Sequence, residues 1–146
     1  MVQGTATDTG PLLALLNTSD PANAVCVSAL TTLKAPLLTV QACVAEAMYF
    51  LGQMIGYRGQ EALWQLIEAE RLIVVDLTPV DLRRVRYFMN LYQDRPCDYA
   101  DACLVALCER EGLEQVFSLD SDFYIYRIKN NRVLNVVPGP LTSQPR

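Results

Sequence analysis

The chain has no histidine, and its five cysteines (Cys26, Cys43, Cys97, Cys103 and Cys108) include no Cys-x-x-Cys pair. Those absences exclude imidazole acid–base catalysis, histidine-ligated haem and zinc fingers, and the thiols read as reduced, mostly buried residues. Long apolar runs are missing too. A stretch such as Ile73-Val74-Val75 is far short of the roughly 20 residues that span a bilayer. Met1-Val2-Gln3-Gly4 has neither a basic n-region nor an apolar h-region, so a cytoplasmic protein without a membrane segment is expected. Positive charge is in deficit: 12 Lys and Arg stand against 16 Asp and Glu, a net charge of −4. That balance argues against a protein that coats nucleic acid through a broad basic face. A nuclease remains open, because carboxylates in a site would be offset by bound metal. Arg83, Arg84 and Arg86 share one predicted helix, where a solvated face is the ordinary reading and phosphate contact the alternative.

What is present is enough for one folded unit. With 146 residues, 51% apolar and 19% charged, the chain can bury a continuous core. Strand and helix signals alternate along it. A short strand near Gln3–Thr7 leads to a helix begun around Pro11, where a proline suits the first turn. Asp20-Pro21 reads as the cap and first residue of a second helix reaching about Leu33. Leu37–Thr39 is a strand, Val40 to Gly56 has helical spacing, and Gln60–Arg71 is a further helix. Leu72–Asp76 is a buried strand. Thr78-Pro79 opens a helix towards Tyr92, and Asp98 caps one over Tyr99–Glu111 that stops at Gly112. Val116–Leu119 and Arg132–Val137 complete the strands. This order predicts an α/β fold with a parallel central sheet flanked by helices on both faces, spanning residues 1–137, with 138–146 as a flexible tail.

Acidic residues stand at helix or strand ends in four distant segments: Asp8 in Thr7-Asp8-Thr9-Gly10, Glu46 in Val44-Ala45-Glu46-Ala47, Asp98 and Asp101 in Asp98-Tyr99-Ala100-Asp101, and Asp120 and Asp122 in Asp120-Ser121-Asp122. In a parallel fold such positions converge at the carboxyl edge of the sheet. Gathered carboxylates repel one another and call for a divalent cation, and oxygen-only ligands favour Mg²⁺ or Mn²⁺. Each acid also has an ordinary reading, since Asp8 and Asp98 both fit helix caps. Asp101 stands out because its neighbours Ala100, Ala102, Cys103, Leu104 and Val105 would leave an unpartnered carboxylate costly. Glu46 is the only acidic or basic side chain between Val40 and Gln53. Residues alone thus point to metal-assisted phosphodiester chemistry.

Four segments together, Asp8–Leu16, the helix with Glu46, Asp98–Leu107 and Ser118–Arg127, resemble the PIN-domain ribonucleases, especially the VapC-like toxins of prokaryotic toxin–antitoxin pairs. The likeness covers nearly the whole chain, with a first strand more polar than usual and an acidic overall charge as its departures. It implies a metal-dependent endoribonuclease that uses Mg²⁺ or Mn²⁺ and leaves a 5′-phosphate and a 3′-hydroxyl. It also implies that Asp8, Glu46, Asp101 and Asp120 form the catalytic, metal-binding quartet, with Asp98 and Asp122 as accessory ligands or as groups that support the ligands. Thr9 and Ser118 match hydroxyl positions beside the acids, where they would orient a carboxylate or water. The partners implied are RNA, a second copy in a homodimer and a cognate antitoxin. Trp64, Tyr87, Phe88, Tyr92 and the apolar second helix are candidate contact surface, with buried core as the other fate of each. Two alternatives stay open, an RNA-processing PIN nuclease without a toxin role and a PIN-like module that binds without cutting.

Overall fold

Five short strands form one parallel sheet in the computed structural model, which describes residues 2–95 and 97–138. They are β1 (Thr5–Thr7), β2 (Leu37–Thr39), β3 (Leu72–Val74), β4 (Gln115–Ser118) and β7 (Asn135–Pro138), in the order β3-β2-β1-β4-β7. A separate antiparallel ribbon pairs β5 (Arg127–Ile128) with β6 (Arg132–Val133). The helices are α1 (Thr9–Leu16), α2 (Asn23–Ala29), α3 (Gln41–Ile55), α4 (Tyr57–Glu68), α5 (Pro79–Leu91) and α6 (Tyr99–Glu111). Strands alternating with helices produce the expected parallel α/β architecture. Among the described residues no helix is long and apolar enough to cross a membrane.

Strand register accounts for the two covered faces. Ala6 lies opposite Leu38 and Val116, Leu38 opposite Ile73, and Val116 opposite Val136. That row packs with α5 and α6 through Val85, Phe88, Leu104 and Leu107. One residue along each strand the side chains point the other way. Leu37 and Leu72 therefore pack with Leu12, Ala47, Leu51 and Leu63, and Phe117 with Ala14, Ala22 and Cys26. The polar strand β1 fits because its buried hydroxyls are satisfied: Thr5 Oγ1 donates to the Lys34 carbonyl at 2.8 Å and Thr7 Oγ1 to that of Thr5 at 3.0 Å. All five cysteines are free and buried.

Helix ends follow the local chemistry. In α5, Thr78 Oγ1 accepts from the Asp81 N–H at 3.2 Å while Asp81 Oδ2 accepts from the Thr78 N–H at 2.8 Å, a reciprocal cap. Helix α6 runs between its Asp98 cap and Gly112, whose φ of 67° lets it close the helix by donating to the Cys108 carbonyl. Its buried Leu104 and Leu107 make it the central helix of one face.

Several expected boundaries move. Helix α1 begins at Thr9, two residues ahead of Pro11, because Asp8 itself is the cap. Asp20-Pro21 builds a turn, with Asp20 Oδ1 accepting from the Ala22 N–H at 2.8 Å, so α2 starts only at Asn23. It ends at Ala29, where the hydroxyls of Thr31 and Thr32 bond back to the carbonyls of Ser28 and Ala29. Helix α4 starts at Tyr57 rather than Gln60, since Gly56 (φ 74°) turns the chain sharply out of α3. The last predicted strand is two: Arg132–Val133 pairs with β5, and after the buried Leu134 the chain joins β4 as β7. Pro138 belongs to β7, and the rest of the expected tail, 139–146, lies outside the described residues. Phe88 is core rather than contact surface, being 1% exposed, whereas Trp64 and Tyr87 are about half exposed.

Truncating Leu104 to Ala should lower unfolding stability by about 2–5 kcal/mol, against about 1 kcal/mol for Thr78→Ala at the α5 cap. Denaturant titration of the two variants checks this order, and equal losses would contradict the assignment of α6 as the central packed helix.

Candidate metal centre

Between β1 and β4 the strand order reverses: the chain leaves β1 for β2 and β3 on one side, and β4 is flanked by β7 on the other. Strand ends at such a reversal frame a crevice. Asp8 follows β1 directly, and its N–H donates to the Phe117 carbonyl at 2.9 Å, which ties it to the end of β4. Its Oδ1 accepts from the Thr9 N–H at 2.8 Å, capping α1, and its Oδ2 accepts from Ser118 Oγ at 2.9 Å. Ser118 Oγ in turn accepts from the Asp120 N–H at 3.0 Å, and Asp120 Oδ1 from the Asp122 N–H at 2.9 Å.

The other acids arrive on helices. Glu46 sits in the second turn of α3, where its Oε1 accepts from Thr9 Oγ1 at 2.8 Å. Asp101 is buried in the first turn of α6, and its Oδ2 accepts from the Tyr126 hydroxyl at 3.1 Å. Asp98 Oδ1 caps the same helix by accepting from the Asp101 N–H at 2.8 Å. One carboxylate oxygen each from Asp101, Asp120 and Asp122 lies within 4.8 Å of the other two. Asp122 thus stands in the tightest group among the described residues. Asp8, expected as a core member, turns both oxygens to hydrogen-bond donors. Asp98, expected both as the cap of this helix and as an accessory ligand or supporting group, makes the cap.

Electrostatics ties the segments together. Burial pushes the Asp8 carboxyl up to about 6, with Asp120 and Glu46 adding to the effect and the Thr9 N–H and Ser118 hydroxyl opposing it. Burial also raises Asp101 to about 8, reinforced by Asp8, Asp98 and Asp120 and opposed by Tyr126. Asp122 is raised by burial and by Asp120, while Arg95 acts in the opposite sense. The buried Asp8 and Asp101 and the partly buried Asp122, whose charged forms are disfavoured, belong to a donor set that a hard divalent cation would stabilise, and every donor is oxygen. Tyr126 and Arg95 carry no signal in the sequence that separates them from other surface or core residues. Only the folded loop after β4 brings Tyr126 onto Asp101.

Fold and site together define a parallel α/β protein with a carboxylate centre at its strand reversal. The PIN domain model matches residues 6–129, and the chain belongs to that family. Among solved structures it is similar to Mycobacterium tuberculosis VapC20, a sarcin–ricin loop cleaving toxin, at 18% identity and a TM-score of 0.74, over 81% of this chain and 91% of that one. A toxin–antitoxin complex from Klebsiella pneumoniae matches at 15% identity and a TM-score of 0.63, covering 80% of this chain and 87% of the other. VapBC2 from Rickettsia felis, bound to a DNA fragment from their promoter, matches at 13% and 0.62, covering 90% and 97%. Comparison with curated proteins gives no match.

The raised carboxyls set a pH dependence. Both bind protons to higher pH in the folded than in the unfolded chain, so their contribution to stability is fully present below the ordinary value near 3.8 and is lost as pH rises to about 8. In EDTA, the melting temperature should fall across that window, and Asp101→Asn should melt above the wild type at pH 8. A profile that is flat, or rises, between pH 5 and 8 would contradict the assignment.

Proposed function

We propose that this protein is a metal-dependent endoribonuclease acting in the cytoplasm as the toxin of a toxin–antitoxin pair. The observation that carries the reading is the convergence of carboxylates from four separate segments on the strand reversal, with three of them inside 4.8 Å. Membership of the PIN family supports nuclease chemistry. The toxin and toxin–antitoxin complexes among the similar structures support the toxin role, with an antitoxin as partner. A homodimer is part of the same proposal.

Asp8, Glu46, Asp101 and Asp120 would hold Mg²⁺ or Mn²⁺, with Asp122 joining the group and Asp98 acting on it from the cap of α6. When bound, the cation supplies Lewis-acid chemistry, acidifying water and offsetting negative charge that develops at phosphorus. The chain's own residues do the positioning. Ser118 and the Thr9 N–H hold the Asp8 carboxylate in one orientation, and the Thr9 hydroxyl holds Glu46, which leaves Glu46 Oε2 to accept a proton or face a cation. Tyr126 holds Asp101 in the same way. These donors reduce the freedom of each carboxylate before any ligand arrives.

Asp8→Asn, Glu46→Gln and Asp101→Asn should each lower RNA cleavage by about 100-fold or more and relieve the growth arrest caused by expressing the wild type. Mn²⁺ at about 100 times its Kd should stabilise the wild type by about 2.7 kcal/mol, and EDTA should abolish cleavage. The proposal fails if all three variants still cut RNA, or if Mn²⁺ leaves the unfolding curve unmoved.

A further inference from the structure

Beside the acidic centre lies a groove of about 660 Å³ between the second half of α5, the turn that follows it and the β5–β6 ribbon. Its charge is opposite to that of the chain. Arg84, Arg95, Arg127 and Lys129 line it with Asp94 as the one acid, in a protein of net charge −4. Arg84 is paired with Glu109 at 3.0 Å, but among the described residues no carboxylate pairs with Arg95, Arg127 or Lys129. The Arg127 guanidinium is fixed by the carbonyls of Tyr124, Ile125 and Tyr126 at 2.7, 2.9 and 3.1 Å, which orders its charge without neutralising it. Tyr87, 46% exposed, carries the Arg84 guanidinium 4.2 Å from its ring centroid.

The groove adjoins the carboxylates through one aromatic layer. Tyr92 lines it and packs on Tyr126 with ring centroids 5.0 Å apart, and the Tyr126 hydroxyl bonds Asp101. Arg95 acts on Asp122 from the same side. An acidic polypeptide would find cations here but would also meet the repelling carboxylates. A nucleic-acid strand must cross from cations to carboxylates in any case, and it offers base faces to the exposed aromatic.

We propose that this groove is a second binding site for single-stranded RNA, holding the strand beside the phosphodiester to be cut. Arg95 and Lys129 meet phosphates, and Tyr87 with its stacked Arg84 meets a base. The inference rests on the ribonuclease reading above, and it explains how an acidic protein draws in a polyanion: a local cationic strip acts where the net charge does not.

The test is fluorescence anisotropy of a labelled, mixed-sequence single-stranded RNA of about 12 nucleotides, measured in EDTA over a range of salt. The double variant Arg95→Glu, Lys129→Glu should bind about tenfold or more weakly, and the slope of log K against log salt should shrink by roughly 0.7 for each phosphate that is no longer neutralised. Tyr87→Ala should lose about tenfold with the salt slope unchanged. Arg58→Glu, exposed on α4 and outside the groove, should bind as the wild type does. Thermal unfolding of each variant confirms that it is folded.

Wild-type affinity and slope in the double variant would overturn the proposal, as would an equal loss from Arg58→Glu. Cleavage with Mn²⁺ separates the two readings: if the double variant cuts RNA with an unchanged KM, the groove assignment falls and the nuclease stands. A wild type that neither binds nor cuts RNA overturns both. Binding of poly-glutamate in place of RNA would overturn the groove assignment in favour of an acidic polypeptide.

Discussion

The hydrogen bond from Ser118 Oγ to Asp8 Oδ2 joins residues 110 positions apart, and the arrangement of the acidic centre depends on it. It forms because β1 and β4 are parallel neighbours, with Thr7 in register with Phe117, so Asp8, just past β1, faces Ser118, the last residue of β4. The bond from the Asp8 N–H to the Phe117 carbonyl fixes that alignment on the backbone. From Asp8 the order spreads both ways. Thr9 carries it to Glu46 on α3, and Ser118 carries it to Asp120 and Asp122 in the loop after β4. The Thr9 N–H and the Ser118 hydroxyl also lower the cost of ionising the buried Asp8 carboxyl.

That order opposes a strong electrostatic cost. Burial and mutual repulsion disfavour the charged forms of Asp8, Asp101 and Asp122, while their hydrogen-bond donors and Arg95 only partly compensate. The core supplies the difference. Apolar rows on both faces of the sheet pack against α1 to α4 on one side and α5 and α6 on the other, and they hold the strand ends together whatever the charge there. Local concentration of opposite charge follows the same logic on the surface, where cations gather in one groove next to the acids although the chain is acidic overall.

Much of this is legible in the sequence, and the reason is local. The limits of α6 follow from an aspartate able to cap and a glycine able to take positive φ, and both act within a turn of the helix. The same holds for the Thr78-Pro79 start of α5. Asp20-Pro21 misleads because the same dipeptide serves a helix cap or a turn, and hydrogen bonds to Ala22 and Asn23 decide for the turn. The division of Arg132–Val137 was not legible at all. A partner chosen by tertiary contact separates β6 from β7, since the two halves pair with strands on different sheets.

Taken by itself, the sequence determined the alternation of elements, the two-sided burial of the sheet and the presence of acids at four element ends, because each of these rests on short-range propensity and hydrophobic period. Which acids stand together and which turn to a hydrogen-bond donor is set by tertiary contact alone. Asp122 comes close to Asp101 and Asp120, Asp98 is turned to its helix, and Asp8 to Ser118. Tyr126 and Arg95 join the site at this level alone. Those choices depend on distances of a few ångströms between segments remote in the chain, and neither residue type nor spacing encodes such distances until the strands are in register.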